Sequence, residues 1–354
     1  MKTRAVTYVA PVELIRYWVV ERSKNKEVGE KMKEIKTIGV LTSGGDAPGM
    51  NAAVRAVVRA GIYYGFKVLG VRKGYEGLLN GEIVDMNLRS VGDIIHRGGT
   101  VLQTARSAEF NTEAGIQKAI SIAQVFGIDA LLVIGGDGSF RGALDLSKKG
   151  FVTMGIPGTI DNDIACSEYT IGFDTCMNTV QDAIDKIRDT AYSHERCSVL
   201  EVMGRKAGYI ALNVAISGGA EAVILPEKEF NIDRDIIKPI IEGRNRGKKH
   251  YLVIIAEGVG GAVEVAKYIE EKTDIKSRAT ILGHIQRGGS PTVYDRVMAS
   301  RMGAHAVKLL KEGTLNRVVA LQKGGLVDLD IQEALEMTKS IDEDMIQLNK
   351  ILAL

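Results

Sequence analysis

Three short segments and one pair of segments carry side chains suited to phosphate chemistry, and each follows an apolar run. The first is Thr42-Ser43-Gly44-Gly45-Asp46-Ala47-Pro48-Gly49-Met50-Asn51. A glycine-rich turn opening a helix offers backbone N–H groups and a positive helix end to an anion. Gly44 to Gly49 has P-loop spacing, but Met50-Asn51 stands where Lys-Ser/Thr would hold phosphate and metal, so the Walker reading fails. A plain tight turn would also account for these glycines. The second is Gly135-Gly136-Asp137-Gly138-Ser139-Phe140. A lone acid among glycines suits Mg²⁺, which keeps several waters and bridges nucleotide phosphates. Its glycines miss the GxGxxG dinucleotide spacing. The third, Pro157-Gly158-Thr159-Ile160-Asp161-Asn162-Asp163, places two carboxylates in a loop of turn formers. One could take the proton of an attacking hydroxyl; an Asx turn is the structural alternative. The fourth pairs Met203-Gly204-Arg205 with Gly283-His284-Ile285-Gln286-Arg287-Gly288-Gly289, where guanidinium forks suit phosphoryl oxygens and the His–Arg pair suits a sugar phosphate. His96, His194, His250 and His305 share no metal-like spacing.

These segments need elements that end where they begin. From Thr37 onward, short β-branched runs alternate with amphipathic helical patterns, the signature of parallel sheets with crossover helices. Strands are expected at Ile38–Leu41, Ala130–Ile134, Val152–Ile156, Ser198–Val202 and Leu252–Ala256. Ligands of such sheets gather beyond the carboxyl ends of the strands. A helix is expected over Asn51–Tyr64, with Ala53, Ala56, Val57, Ala60 and Tyr64 inward and Arg55 and Arg59 outward. A second covers Asn178–Ala191, with Val180, Ala183, Ile184, Ile187 and Ala191 inward and Arg188 outward.

The chain has 354 residues, more than one hydrophobic core usually organises, so two lobes are expected. Hydrophobic residues at 45% and charged residues at 25% fit an ordinary globular protein rather than a fibrous, disordered or spanning one. The 40 glycines against 6 prolines suggest many tight turns where backbone approaches a ligand. A formal charge of +2 argues for neither nucleic acid nor membrane as partner. Cys166, Cys176 and Cys197 lack CxxC spacing, which points away from a disulfide framework or zinc and toward a reducing cytoplasm. Residues 1–35 read as an appendage. Pro11, Glu13 and Arg16 interrupt its apolar stretch, so it is no signal peptide, and either a start at Met32 or an extra helix would account for it.

Taken together, Ile38–Asn51, Gly135–Ser139, Pro157–Asp163, Met203–Arg205 and Gly283–Pro291 resemble, in order and spacing, the bacterial ATP-dependent 6-phosphofructokinase family. The resemblance runs from about Lys36 to the C-terminus. It implies two Rossmann-like three-layer α/β lobes with mainly parallel sheets and an active site between them. The expected boundaries are 36–171 plus 286–335 for an ATP lobe and 172–285 plus 336–354 for a fructose 6-phosphate lobe. It also implies ATP contacts at Gly45, Arg106, Ser107, Gly136, Asp137, Gly138 and Ser139, with Asp137 the Mg²⁺ ligand. Asp161 corresponds to the general base, acting with Thr159, Arg205 and Arg106. Thr159, Ile160, Met203, Gly204, Glu257, His284, Ile285, Gln286 and Arg287 correspond to sugar-site positions. Arg196 and Arg278 match arginines that reach a neighbouring subunit's sugar phosphate, which implies a homotetramer. Arg55, Arg59, Arg188, Gly219, Glu221, Arg246, Lys248, Lys249 and His250 match an effector pocket for ADP or phosphoenolpyruvate. Pyrophosphate-dependent relatives have an acid at Gly138 and a lysine at Gly158; both are glycine here, which favours ATP. A non-catalytic nucleotide-binding relative is disfavoured by the intact Asp137, Asp161 and Arg205.

Overall fold

The computed structural model describes residues 34–353. The expectations for the N-terminal appendage, including a start at Met32, lie outside the described residues except at Glu34 and Ile35. The chain runs β1 (Thr37–Thr42), α1 (Met50–Tyr63), β2 (Lys67–Val71), α2 (Gly74–Leu79), β3 (Ile83–Met86), α3 (Glu113–Val125), β4 (Ala130–Gly135), α4 (Asp137–Lys148) and β5 (Val152–Pro157). It continues with α5 (Phe173–His194), β6 (Cys197–Val202), α6 (Tyr209–Gly218), β7 (Ala222–Ile224), α7 (Lys238–Asn245), β8 (Tyr251–Ala256), α8 (Ala262–Thr273) and β9 (Ser277–Ile281). It ends with α9 (Val293–Lys311), β10 (Arg317–Gln322), β11 (Gly325–Asp330), α10 (Ile331–Glu336) and α11 (Glu343–Leu352).

Two sheets result, ordered β11-β10-β5-β4-β1-β2-β3 and β7-β8-β6-β9. Among the described residues only the outermost strands β3 and β11 run antiparallel to their neighbours. The inner strands read as nearly unbroken apolar runs because helices cover both faces. One face of the first sheet (Val40, Leu132, Ile134) and one of the second (Leu200, Ile254) share a core with α1, α5 and α9. The opposite faces have cores of their own, around Leu131 and Phe140 and around Val253 and Ile255. This is the expected pair of α/β layers.

The five expected strands form, each within a residue or two of its expected ends. The burial of α1 departs from the expected single stripe. Ala52, Val54 and Val58 are buried along with Ala53, Ala56 and Val57, because two faces of α1 are covered: α9 lies against Ala53 and Ala56, and the face of Val54, Val58 and Gly61 meets Ile38 and Val68 of the sheet. Gly303 of α9 permits that approach: a Cβ there would sit 2.9 Å from the Ala53 carbonyl oxygen. On α5, Val180, Ile184 and Ala191 are buried as expected, but Arg188 is half-buried rather than outward.

The chain passes between the sheets at the start of α5, between β9 and α9, and again over residues 337–342. Asp295 ties the first two passages together. Its fully buried carboxylate accepts from Gly172 N–H at 2.6 Å, Thr175 N–H at 2.8 Å and the Tyr169 and Thr175 hydroxyls.

Candidate active site

The first sheet reverses its winding between β1 and β4, since β1 pairs with β2 on one side and β4 on the other. Loops after those two strands must diverge, and the crevice between them is the natural ligand site. There the two glycine-rich turns meet. Ser43 N–H donates to the Ile134 carbonyl at 2.9 Å, and a Cβ on Gly44 would lie 3.5 Å from the Ser139 hydroxyl oxygen. Gly136 and Gly138 both stand outside the left-handed region, and a Cβ on Gly138 would meet nothing within 4 Å. The fold does not require glycine at Gly138, so its glycine leaves room for something else. Ser107 accepts from the Phe110 N–H at 3.2 Å, and Arg106 is exposed beside it.

Asp137 opens α4, and Arg141 one turn on holds both of its oxygens, at 2.8 and 3.3 Å. The spacing of the two residues contained this pair, although the sequence reading missed it. Among the described residues no three His, Cys, Asp or Glu side chains cluster to hold a metal. A single half-buried carboxylate would suit Mg²⁺, which takes its remaining ligands from phosphate and water. Arg141, itself largely exposed, would have to swing aside.

Asp161 is 2% exposed and its Oδ1 has no hydrogen-bond partner. Burial and the neighbouring Asp163 push its carboxyl up to about 6, against the pull of Arg287 and Arg205. The loop holding it is strained and pinned: Asn162 has φ 52°, a left-handed conformation unusual for a side-chain-bearing residue. The Thr159 hydroxyl accepts from Asp161 N–H at 3.2 Å, and Thr170 donates to the Thr159 carbonyl at 2.7 Å. Asp163 is also raised by burial, while Arg205 and Asp137 act on it from either side. Asp137, Asp161, Asp163, Arg205 and Arg287 therefore share one electrostatic neighbourhood, drawn from both sheets.

On the second sheet, Gly204 (φ 138°) and Arg205 (φ 55°) make a sharp turn after β6. Glu257, following β8, holds that turn through one carboxylate oxygen that accepts from Gly204 N–H at 3.1 Å and Arg205 N–H at 2.6 Å. Arg287 reaches back to the first sheet: its guanidinium donates to the Asp46 carbonyl at 3.2 Å and lies against Gly45. His284 and Ile285 are exposed.

Two of the expected sugar-site residues turn their side chains inward. Gln286 is 0% exposed and bonds inward, accepting from Met203 N–H at 3.1 Å and donating to the Gly283 carbonyl at 3.1 Å. Ile160 is likewise fully buried, in the shared core. Asn51 has a comparable inward role, holding the 97–101 loop through its amide.

Arg196 precedes β6, and Arg278 lies near the start of β9, paired with Ser198. Both are at the amino edge of the second sheet, and a six-residue strand separates that edge from Arg205 by roughly 20 Å. The same edge gathers Arg188, whose guanidinium donates to the Gly218 carbonyl beside Gly219, and Glu221, which pairs with Lys248. Burial and those cations push His250 below its ordinary value. Lys249 pairs instead with Glu195 at 2.8 Å, and Arg246 is exposed. Among the described residues no hydrogen bond or ion pair links Arg55 or Arg59 on α1 to this group.

Sequence reasoning also missed Lys339, which lies far along the chain from the loop it touches. Its ammonium donates to the Asn162 carbonyl at 2.7 Å and the Ser167 carbonyl at 3.0 Å.

Comparison with known proteins places the geometry in context. The Phosphofructokinase family model matches residues 37–310. A Clostridium botulinum protein named ATP-dependent 6-phosphofructokinase is 60% identical over 319 residues, 90% of this chain and 100% of its own. One of the same name from Alkaliphilus metalliredigens is 57% identical over 320 residues, again 90% of this chain and 100% of its own. Among solved structures, a Saccharomyces cerevisiae phosphofructokinase superposes with TM-score 0.81 at 34% identity, over 90% of this chain and 48% of the yeast chain. A pyrophosphate-dependent phosphofructokinase from Marinobacter aquaeolei shares the fold, with TM-score 0.78 at 20% identity over 90% of this chain and 92% of its own.

Proposed function

The chain belongs to the phosphofructokinase family, and on that premise we propose how the cleft between its two sheets works. It transfers the γ-phosphoryl of ATP to the C1 hydroxyl of fructose 6-phosphate, the glycolytic step that yields fructose 1,6-bisphosphate and ADP. Asp161 accepts the hydroxyl proton as the oxygen attacks phosphorus. The carrying observation is its buried Oδ1 with no partner. A buried acceptor left unpaired costs roughly 1–3 kcal/mol, so it is kept for a reason, and a substrate hydroxyl is the group that would satisfy it. A carboxyl raised to about 6 is basic enough to take a proton yet ionised near neutral pH.

The turns Gly44–Gly45 and Gly135–Ser139 receive the triphosphate through backbone N–H groups, with Arg106 and Ser107 alongside. Asp137 would hold Mg²⁺, which would supply positive charge to the phosphates. Arg205 and Arg106 face the transferred group, whose charge spreads over its equatorial oxygens. Glu257 serves the sugar site by holding the Gly204–Arg205 turn. ATP as donor is supported by the open space at Gly138, where an acidic side chain would meet the nucleotide. Arg196 and Arg278, turned away from their own cleft, complete a neighbour's sugar site in a homotetramer. The Arg188, Glu221, Lys248 and His250 group, joined by Arg55 and Arg59 of another subunit, binds ADP or phosphoenolpyruvate.

Replacing Asp161 by Ser tests the base. Turnover should fall by about 10²-fold or more while the KM values stay within a few fold. Near-normal turnover would refute the assignment.

A further inference from the structure

The third passage between the sheets, residues 337–342, is more than a tether. It leaves α10, which packs on α4, and enters α11, which packs on α6 and β7. Ile341, 6% exposed, anchors it in the shared core. Midway along it stands Lys339, half-buried, with three N–H donors on a terminal ammonium. Two go to carbonyls that bracket the acidic loop, Asn162 at 2.7 Å and Ser167 at 3.0 Å. The ammonium also lies 4.7 Å from the ring centroid of Tyr209, the first residue of α6. That contact is a cation–π pair.

We propose that Lys339 is a positioning residue for Asp161, a clasp that pins the back of the Asp161–Ser167 loop to the Tyr209 ring and thereby fixes the carboxylate against the second sheet. The proposal rests on the reading of Asp161 as the base. Two observations make the clasp more than packing. The loop it grips contains Asn162 in a left-handed conformation, which persists only when its surroundings hold it. The two things it joins also come from opposite sides of the cleft: Asp161 follows β5, and Tyr209 follows the Gly204–Arg205 turn. Burial pushes the ammonium down to about 8, with Asp163, Cys166 and Glu168 pulling it back up, so near neutral pH it remains the charged form that a carbonyl and ring clasp needs.

The test is steady-state kinetics on the full chain with ATP and fructose 6-phosphate. Lys339→Met should lower kcat roughly 10- to 100-fold, since an ångström of misplacement at a base costs about that much. KM for ATP should move by less than about threefold, and Lys339→Arg should restore most of the loss. A folded Lys339→Met with kcat unchanged overturns the clasp, even if its melting temperature drops, because a residue that only holds the fold leaves turnover per folded chain intact. Should Lys339→Met fail to fold, Tyr209→Leu carries the test, because it removes the ring and spares both carbonyl bonds. A severalfold fall in kcat at constant KM supports the clasp, and an unchanged kcat refutes it. Asp161→Ser in the same assay separates the two ideas. If Asp161→Ser is dead and Lys339→Met normal, only the clasp falls; if Asp161→Ser is active, the base reading falls first.

Discussion

A base that must be ionised to work ties turnover to pH. With burial and Asp163 lifting the Asp161 carboxyl to about 6, kcat at saturating substrate should rise with pH through that value and level off above it. Asp163→Asn removes a like charge that favours the protonated form, so the acid limb should move to lower pH while the plateau survives. A pH–kcat profile checks this, and an unmoved or alkaline-shifted limb would contradict it. At this scale the short motifs were legible in the sequence one at a time, and the structure shows which of them meet. Asp137, Asp161, Arg205 and Arg287 are brought together from four segments that could be read one by one. What could not be read was the support. Lys339 reaches the Asp161 loop from more than 170 positions away, and nothing in its own neighbourhood marks it. The inward turn of Gln286 was hidden for the opposite reason: it sits inside a motif where His284 and Ile285 are exposed, yet its amide oxygen accepts from Met203 N–H.

Helices and strands follow from periodicity where one face is buried, and less well where two are. The strands ending at Thr42, Gly135 and Val202 were legible because each apolar run stops at a polar or glycine turn. For α1 the apolar stripe identified the Ala53–Ala56 face, which α9 covers some 240 residues later, whereas burial of Val54 and Val58, on the face of Gly61, depends on the sheet. The contact turns on Gly303, where an added Cβ would lie 2.9 Å from both the Ala53 carbonyl oxygen and the Ala56 Cβ. Alanine is the better helix former by about 1 kcal/mol, but overpacking costs about 1–3 kcal/mol and here the obstacle is backbone. Gly303→Ala should therefore lower stability by about 1 kcal/mol, measured by urea unfolding. Unchanged or raised stability would mean that α1 and α9 separate more easily than their packing implies.

Across the whole molecule, the parallel winding of both sheets sorts the functional groups by edge. Carboxyl ends carry the glycine-rich turns, Asp161, Arg205 and Glu257; the amino edge of the second sheet carries Arg196, Arg278 and the Arg188–Glu221–Lys248 group. That division sets Arg196 and Arg278 apart from the cleft of their own chain, which is the arrangement the proposed sharing between subunits would use. The two-sheet plan was visible in the alternation of strand and helix patterns, but which edge each arginine occupies needed the register. The central claim is that the cleft uses ATP, with Gly138 leaving space for the nucleotide. It is tested most directly by following fructose 1,6-bisphosphate formation from fructose 6-phosphate with ATP or with pyrophosphate as the sole donor. The account predicts turnover with ATP and at least about 10²-fold less with pyrophosphate, a difference of roughly 3 kcal/mol in transition-state binding. Equal or faster turnover with pyrophosphate, or none with ATP, would contradict it.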